Sequence, residues 1–516
     1  MSIGRTFAVA LSGMSGTLVE IEADLANGLP GLSLIGLPDR ALGESAERVR
    51  SAVVNSGYKL PPRKLTVNLS PAALPKRGSG FDLGIALACL AAGGLMSSSG
   101  IEDVVHIGEL SLDGRLRPTA GVLPAVIAAR ACGRTRVMVP LANAAEAALV
   151  PDMVIIPVAS LRQAATIHGA RAGAPSGWVD LPPLVAPQSL VAGSLESTPD
   201  LADVVGNDDA VEALIVAAVG GHHLLMTGPP GAGKTMLAMR LPGILPDLSV
   251  AAALDVASIR SLAGYPVADA LPKRPPLESP HHTTTTAAMI GGGTGMIRPG
   301  SAARASHGVL FLDEAPEFPS AVLDALRQPL ESGTVSIHRA NAVATFPASF
   351  QLVLAANPCP CGNYGATGTD CTCPPIARRR YLARLSGPLI DRIDIQLQVN
   401  RMSIAALRLT NEPRYVTAEV QRMVLAARAA SAERLRATPW STNAQVSGPY
   451  LRSPAQRLPV SLTASLDRAL ERGALTMRGY DRVLRLAWSI ADLDGKERPG
   501  VDQLGRALYL RKGITT

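Results

Sequence analysis

The sequence predicts a multidomain α/β protein that ends in a helical domain, and three observations carry this. Residues 1–170 mix short strands with Ala-rich helices. An apolar strand beginning near His222 runs into a Gly- and Pro-rich turn from Gly228 to Thr235, and a helix follows. Beyond Glu412, long stretches suit helices. At 516 residues the chain is too long for one compact core, so separate domains are expected.

In chain order, the first domain is expected over 1–170. Its strands are expected at Leu18–Glu22, Leu65–Leu69 and Val137–Val139, and its helices at Ala41–Ser56 and Val122–Ala131. Residues 171–199 are rich in Pro, Gly and Ser with little periodicity and read as a linker. Residues 200–400 alternate strand, Gly-rich loop, helix and strand, as a parallel sheet does. A helical domain over 413–512 is expected to hold helices at Val416–Ala437, Leu462–Gly473 and Arg478–Asp492.

Composition narrows the class. Six cysteines in this length do not make a disulfide scaffold, and Cys89 and Cys132 sit in apolar sequence where a small buried residue is expected, so a reducing cytosol fits. The formal charge of +7 permits a polyanionic partner without requiring one. Aromatic residues make up 3%, too few for stacking platforms, so any nucleic-acid contact is expected to be phosphate-directed. The N-terminus lacks a basic leader followed by a long apolar run. The most membrane-like stretch, residues 81–96, carries Asp82 and three glycines. It is shorter than the roughly 20 apolar residues a spanning helix needs, so a buried helix is expected there, in a cytoplasmic protein without a membrane partner.

The chemistry concentrates in the second domain. Gly228, Pro229, Pro230, Gly231, Ala232, Gly233, Lys234 and Thr235 form a strand–loop–helix phosphate cradle. Glycines let backbone N–H groups point inward, Lys234 is placed for the β- and γ-phosphates of ATP, and the Thr235 hydroxyl is a Mg²⁺ ligand. A second apolar strand ends in Asp313 and Glu314, carboxylates suited to hold Mg²⁺ and to polarise an attacking water. A third ends in Asn357, which suits contact with the lytic water or γ-phosphate. Arg392, Arg384 and the run Arg378–Arg380 follow. Any of these arginines suits transition-state charge on a neighbouring nucleotide, and spacing does not choose among them.

Just after Asn357 come Cys359-x-Cys361 and Cys371-x-Cys373 on a Gly-rich loop. Four thiolates able to close on one ion suit structural Zn²⁺. A redox pair and unmetallated structural thiols are the alternatives.

Six stretches carry a resemblance: NGLPGLSLIGLPDRALGESAERVRSAVVNSG, SPHHTTTTAAMIGGG, RQPLESGTVSIHRA, NPCPCG, RLSGPLIDRID and RGYDRVLRLAWSIADLDG. Together with the strand motifs, they make the chain resemble the magnesium-chelatase-like AAA+ ATPases of the ComM/YifB type, from about residue 3 to 510. The resemblance implies a Lon-protease-like N-terminal domain of the ribosomal S5 domain 2 type, an AAA+ α/β/α core, and a lid of the magnesium chelatase C-terminal type. It also implies roles. Gly228, Gly233, Lys234 and Thr235 match Walker A, and Asp313 and Glu314 match Walker B. Asn357 matches sensor 1, Arg392 the arginine finger acting in trans, and Arg478 sensor 2.

Two inserts, around Leu271–Gly295 and Gly333–Phe346, match pore-facing segments, making His281, His282, His338 and Arg339 candidates for substrate contact. An ordinary solvated loop is the alternative for these. Ser301 and His338 depart from the family's usual Glu and Ser. Such relatives imply a homo-hexameric helicase on branched or single-stranded DNA, driving branch migration in recombination and natural transformation alongside recombination proteins. The alternative is a protein-remodelling ATPase as in magnesium chelatase, although no porphyrin site is visible.

The first domain also resembles Lon-type proteases, whose chemistry needs a serine nucleophile and a lysine base. Those positions fall at about Gly80 and Leu123; Ser79 is one place off and Lys76 lies in the preceding loop. A scaffold or substrate-positioning module, not a protease, is expected.

Overall fold

The fold is seen in a computed structural model that describes residues 3–36, 39–72, 76, 80–170, 181–185, 199–293, 297–339, 342–365, 370–401 and 414–512. Most of the expected linker and Ser79 lie outside the described residues, as do residues 294–295 of the first insert, residues 340–341 of the second and residue 413.

In Gly4–Ser12 alternate residues Thr6, Ala8 and Ala10 turn inward while their neighbours are half-buried. This period-two pattern makes one face of a sheet, and the strand pairs antiparallel with Ser15–Ala26. The full sheet runs in the order Gly31–Ile35, Lys64–Ser70, Ser15–Ala26, Gly4–Ser12, Val105–His106, Arg136–Pro140, Val154–Val158. Against it packs the helix Asp82–Ala92, buried along its whole length. Full burial explains its membrane-like composition. Among the described residues, no helix is long and apolar enough to cross a membrane.

Asp82 is the polar exception on that helix. It accepts from Ser45 Oγ at 2.6 Å and Arg48 Nε at 2.8 Å. Burial pushes its carboxyl up, and those two donors partly oppose the shift. One expectation fails here. Cys89 is buried, but Cys132 is exposed, because it caps the solvent end of the helix Val122–Ala131, past the last buried turn.

The second sheet is parallel throughout: Leu277–Glu278, Val309–Leu312, Gln351–Ala356, Leu224–Thr227, Ile395–Gln398. Its three central strands are buried at every position and apolar save for Gln351 and Thr227 at their ends, as strands covered on both faces are. The helices Asp208–Gly220 and Lys234–Ile244 share one apolar cluster with it. Each fully buried Leu or Ile there contributes about 1.5–3 kcal/mol.

The tail helices Thr417–Leu435, Val460–Glu471, Met477–Leu493 and Val501–Lys512 do not build a core of their own. Val420, Val424, Val483 and Leu486 join the same cluster as Val211 and Leu224. A buried polar relay also ties them down. His222 Nε2 lies 2.7 Å from Ser489 Oγ, and His222 Nδ1 lies 3.2 Å from Asp394. The first domain docks on the second through the Gly121 N–H, 3.1 Å from the Ser261 carbonyl, and through Ser12 Oγ, 2.6 Å from the Val343 carbonyl.

Candidate active site

In a parallel sheet the strand C-termini all open on one edge, where loops converge. The strand Leu224–Thr227 ends there and turns into the helix Lys234–Ile244, with Gly231 and Gly233 in the left-handed region at φ 75° and 93°. The strand ending next to Asn357 lies between this one and the strand ending next to Asp313. Adjacency of strands therefore collects residues far apart in sequence. Lys234 Nζ donates to the carbonyls of Gly228 (2.6 Å) and Pro229 (3.0 Å) and to Asn357 Oδ1 (3.1 Å). Thr235 Oγ1 donates to Asp313 Oδ2 at 2.7 Å.

Burial lowers the Lys234 pKa, with the Asp313 and Glu314 carboxylates opposing. Glu314 sits in the left-handed region at φ 50°, its N–H bonded to Asp313 Oδ1 at 2.9 Å. That conformation is costly for a residue with a Cβ, and it turns the carboxylate outward. This edge suits a nucleotide triphosphate with Mg²⁺. Glycines at positive φ shape the loop, the Lys234 ammonium sits on the loop's own carbonyls, and a hydroxyl and a carboxylate pair as Mg²⁺ ligands would.

Of the two inserts, the first reaches this edge. His282 Nδ1 lies 3.5 Å from the Glu314 carboxylate, with the His281 ring stacked on His282 at 4.0 Å. Spacing carries no signal for that contact. His338 and Arg339 are exposed on the strand Thr334–Arg339, paired antiparallel with Ala342–Pro347. Ser301 is buried and accepts from Arg304 at 2.8 Å.

Arg392 and Arg478 are not at this edge. They line a cleft of about 210 Å³ with His223, Glu331, Asp391 and Arg482. Asp394 and His223 immediately precede their strands, so the cleft opens on the N-terminal edge of the sheet. Strands of four residues at about 3.3 Å per residue put roughly 13 Å between the two edges. Arg392 binds the Glu331 carboxylate and the Pro388 carbonyl (2.6 Å), and Arg478 lies 3.9 Å from Asp391. Burial first, then crowding by Arg327, Arg478 and Arg482, lowers the Arg392 pKa.

The rival arginines have other employment. Arg384 bonds Glu317 at 3.1 Å, and Arg378 lies over the Tyr364 ring at 3.9 Å. Arg482, which spacing did not single out, pairs with buried Asp394. Burial pushes that carboxyl up, but Arg482 and His222 outweigh it and hold it well below the usual range.

The thiols of Cys359, Cys361, Cys371 and Cys373 all lie within 4.8 Å of one another. In the first domain, Gly80 and Leu123 carry neither nucleophile nor base. Lys76 is fully buried, its Nζ donating to the Pro71 carbonyl at 2.5 Å, and burial lowers its pKa.

Three family models match the chain. They are magnesium chelatase, subunit ChlI (residues 200–407), subunit ChlI of Mg-chelatase (21–143) and its C-terminal part (415–511). An uncharacterized protein of Mycobacterium tuberculosis is 48% identical over 99% of both chains. Competence protein ComM of Haemophilus influenzae is 40% identical over 99% of this chain and 98% of its own. The uncharacterized protein YifB of Escherichia coli is 38% identical over 96% of this chain and 94% of its own. A partial likeness, 30% over 32% of this chain, links it to the Lon protease of Salinispora arenicola.

Proposed function

The chain belongs to the magnesium chelatase ChlI family, with ComM and YifB as full-length relatives, and from that premise we propose that it is a cytoplasmic ring motor that uses ATP to migrate DNA branches. That it is an AAA+ ATPase follows from the family. One observation supports the ring: Lys234, Thr235, Asp313 and Asn357 meet at one sheet edge, while Arg392 and Arg478 share a cleft at the other. A subunit cannot offer those arginines to its own nucleotide. In a closed ring each subunit's arginine cleft faces the next subunit's phosphate cradle, and six subunits are proposed.

Lys234 leaves its loop carbonyls for the γ-phosphate, and Thr235 and Asp313 would hold a Mg²⁺, which would supply charge neutralisation at the phosphates. Glu314 takes the proton of the attacking water, and Asn357 orients that water. Arg392 and Arg478 of the adjoining subunit stabilise the charge that develops on the transferred phosphoryl group. The four clustered thiols suit a structural zinc outside this chemistry.

A DNA substrate is supported by the basic excess of +7, by exposed Arg379 and Arg380, by exposed His338 and Arg339 on their hairpin, and by the relative whose name is a competence protein. Branched or single-stranded DNA is the proposed ligand, with recombination proteins as partners and the first domain as a non-proteolytic scaffold.

The test is ATP-dependent branch migration of four-way DNA by the wild type beside Glu314→Gln. Wild-type migration with hydrolysis slowed about 10²–10⁴-fold in the variant is expected. ATP turnover that ignores DNA and moves no branch would favour a protein-remodelling motor instead.

A further inference from the structure

The four thiols of the Cys-rich loop converge on one point. Cys359 Sγ is 3.4 Å from Cys361 Sγ and 3.6 Å from Cys371 Sγ, and Cys361 and Cys371 are 3.7 Å apart. A disulfide needs sulfurs about 2.0 Å apart, and these four cysteines are free. A tetrahedron of sulfurs at about 2.3 Å from a central Zn²⁺ has edges of about 3.8 Å; the three distances among Cys359, Cys361 and Cys371 come close to that, and Cys373 Sγ lies within 4.8 Å of each. The supporting shell is present as well. The Tyr364 N–H points at Cys359 Sγ from 3.4 Å, the donor–sulfur contact that steadies a bound thiolate. Cys359 is buried and the other three are half-buried, so the cluster is shielded from bulk water.

The loop that carries these sulfurs rests on the phosphate cradle. Gly362, at φ 80°, packs so close to Pro230 that a Cβ there would lie 2.6 Å from the Pro230 ring. The same loop begins two residues after Asn357, which holds Lys234. Its far side is pinned by Arg378 over the Tyr364 ring.

We infer that Cys359, Cys361, Cys371 and Cys373 bind one Zn²⁺, and that the metal-closed loop sets the position of Pro230 and Asn357, making nucleotide affinity depend on zinc occupancy. The coupling rests on the ATPase reading above; the metal site does not. No sulfur touches substrate, so these are positioning residues. Zinc binds as thiols lose their protons to solvent, with no change of oxidation state.

The full-length protein tests both halves. Zinc is counted by atomic emission, and affinity for a fluorescent ATP analogue with Mg²⁺ is measured in parallel. One zinc per chain is expected in the wild type. In Cys361→Ser/Cys371→Ser zinc is lost and the nucleotide Kd rises about tenfold or more, while Cys132→Ser changes neither. As a guard against misfolding, zinc is also drawn from folded wild type with a membrane-permeant chelator and then restored. Affinity is expected to fall and recover with occupancy. Wild type without zinc overturns the site. Zinc loss that leaves nucleotide affinity within about twofold overturns the coupling. Zinc-replete wild type that binds no nucleotide overturns the coupling and the ATPase reading together, while the metal site stands.

Discussion

At Gly228 a methyl group would lie 2.1 Å from the Val399 carbonyl oxygen, so only glycine fits where the cradle meets the neighbouring strand. Gly228→Ala is expected to destabilise the fold by about 1–3 kcal/mol and weaken ATP binding, checked by urea unfolding and nucleotide titration. Another residue-scale effect lies far from that loop. His106 is fully buried between Thr6 Oγ1 (2.6 Å) and His168 Nε2 (2.9 Å). Burial, then the His168 charge, holds its pKa well below 6.5. The unfolded chain therefore takes up this proton first as pH falls. Stability is complete above about pH 6.5 and drops by up to about 1.4 kcal/mol per pH unit below it. Urea unfolding between pH 7.5 and 5 is expected to show a slope at least that steep, reduced but not abolished in His106→Gln, because burial also lowers the pKa of His168 and takes that of His223 to about 4. Lys234, Thr235, Asp313 and Asn357 stood out as candidates because short motifs encode them, and the structure brings them to one sheet edge. The His282–Glu314 contact did not stand out, since it depends on how the insert folds back over the sheet edge.

Elements place what residues only supply. The strands around Leu65 and Val137 and the helix Val122–Ala131 lie where the sequence put them: Lys64–Ser70 buries alternate residues, Arg136–Pro140 is a short apolar run buried after its first position, and the helix is Ala-rich and largely buried. The helix Met477–Leu493 was equally visible, but its direction of packing was not. Its Arg482 turns to Asp394 and its Ser489 to His222, locking the tail to the sheet's N-terminal edge. Arg482→Met would take away the guanidinium partner of Asp394, whose side chain is nearly fully buried, and leave it His222 alone among the contacts described above. A loss of about 3–5 kcal/mol in urea unfolding is expected, with the nucleotide cradle itself untouched. Arg478 belongs to the same helix, so its distance from Lys234 is a property of the helix and not of Arg478's own sequence context.

For the whole molecule, the separation of cradle and arginine cleft makes a sharp demand on assembly. Lys234→Ala and Arg392→Ala are each expected to abolish ATP turnover when pure. Mixed in equal amounts, they should regain activity, because about a quarter of subunit interfaces then pair an intact cradle with an intact arginine. Turnover that stays absent on mixing would argue that each subunit works alone. The sequence by itself determined the mixed α/β make-up, the helical tail, the Gly-rich turn from Gly228 to Thr235, the paired carboxylates and the four cysteines. These are local properties, written in periodicity and in residues whose chemistry depends on near neighbours. Only the tertiary structure decided that Asn357 touches Lys234, that Arg392 and Arg478 share the opposite edge, and that the cysteine loop leans on Pro230. Those facts follow from strand order and from the length of a strand, and contacts between distant segments leave no periodic trace in the chain.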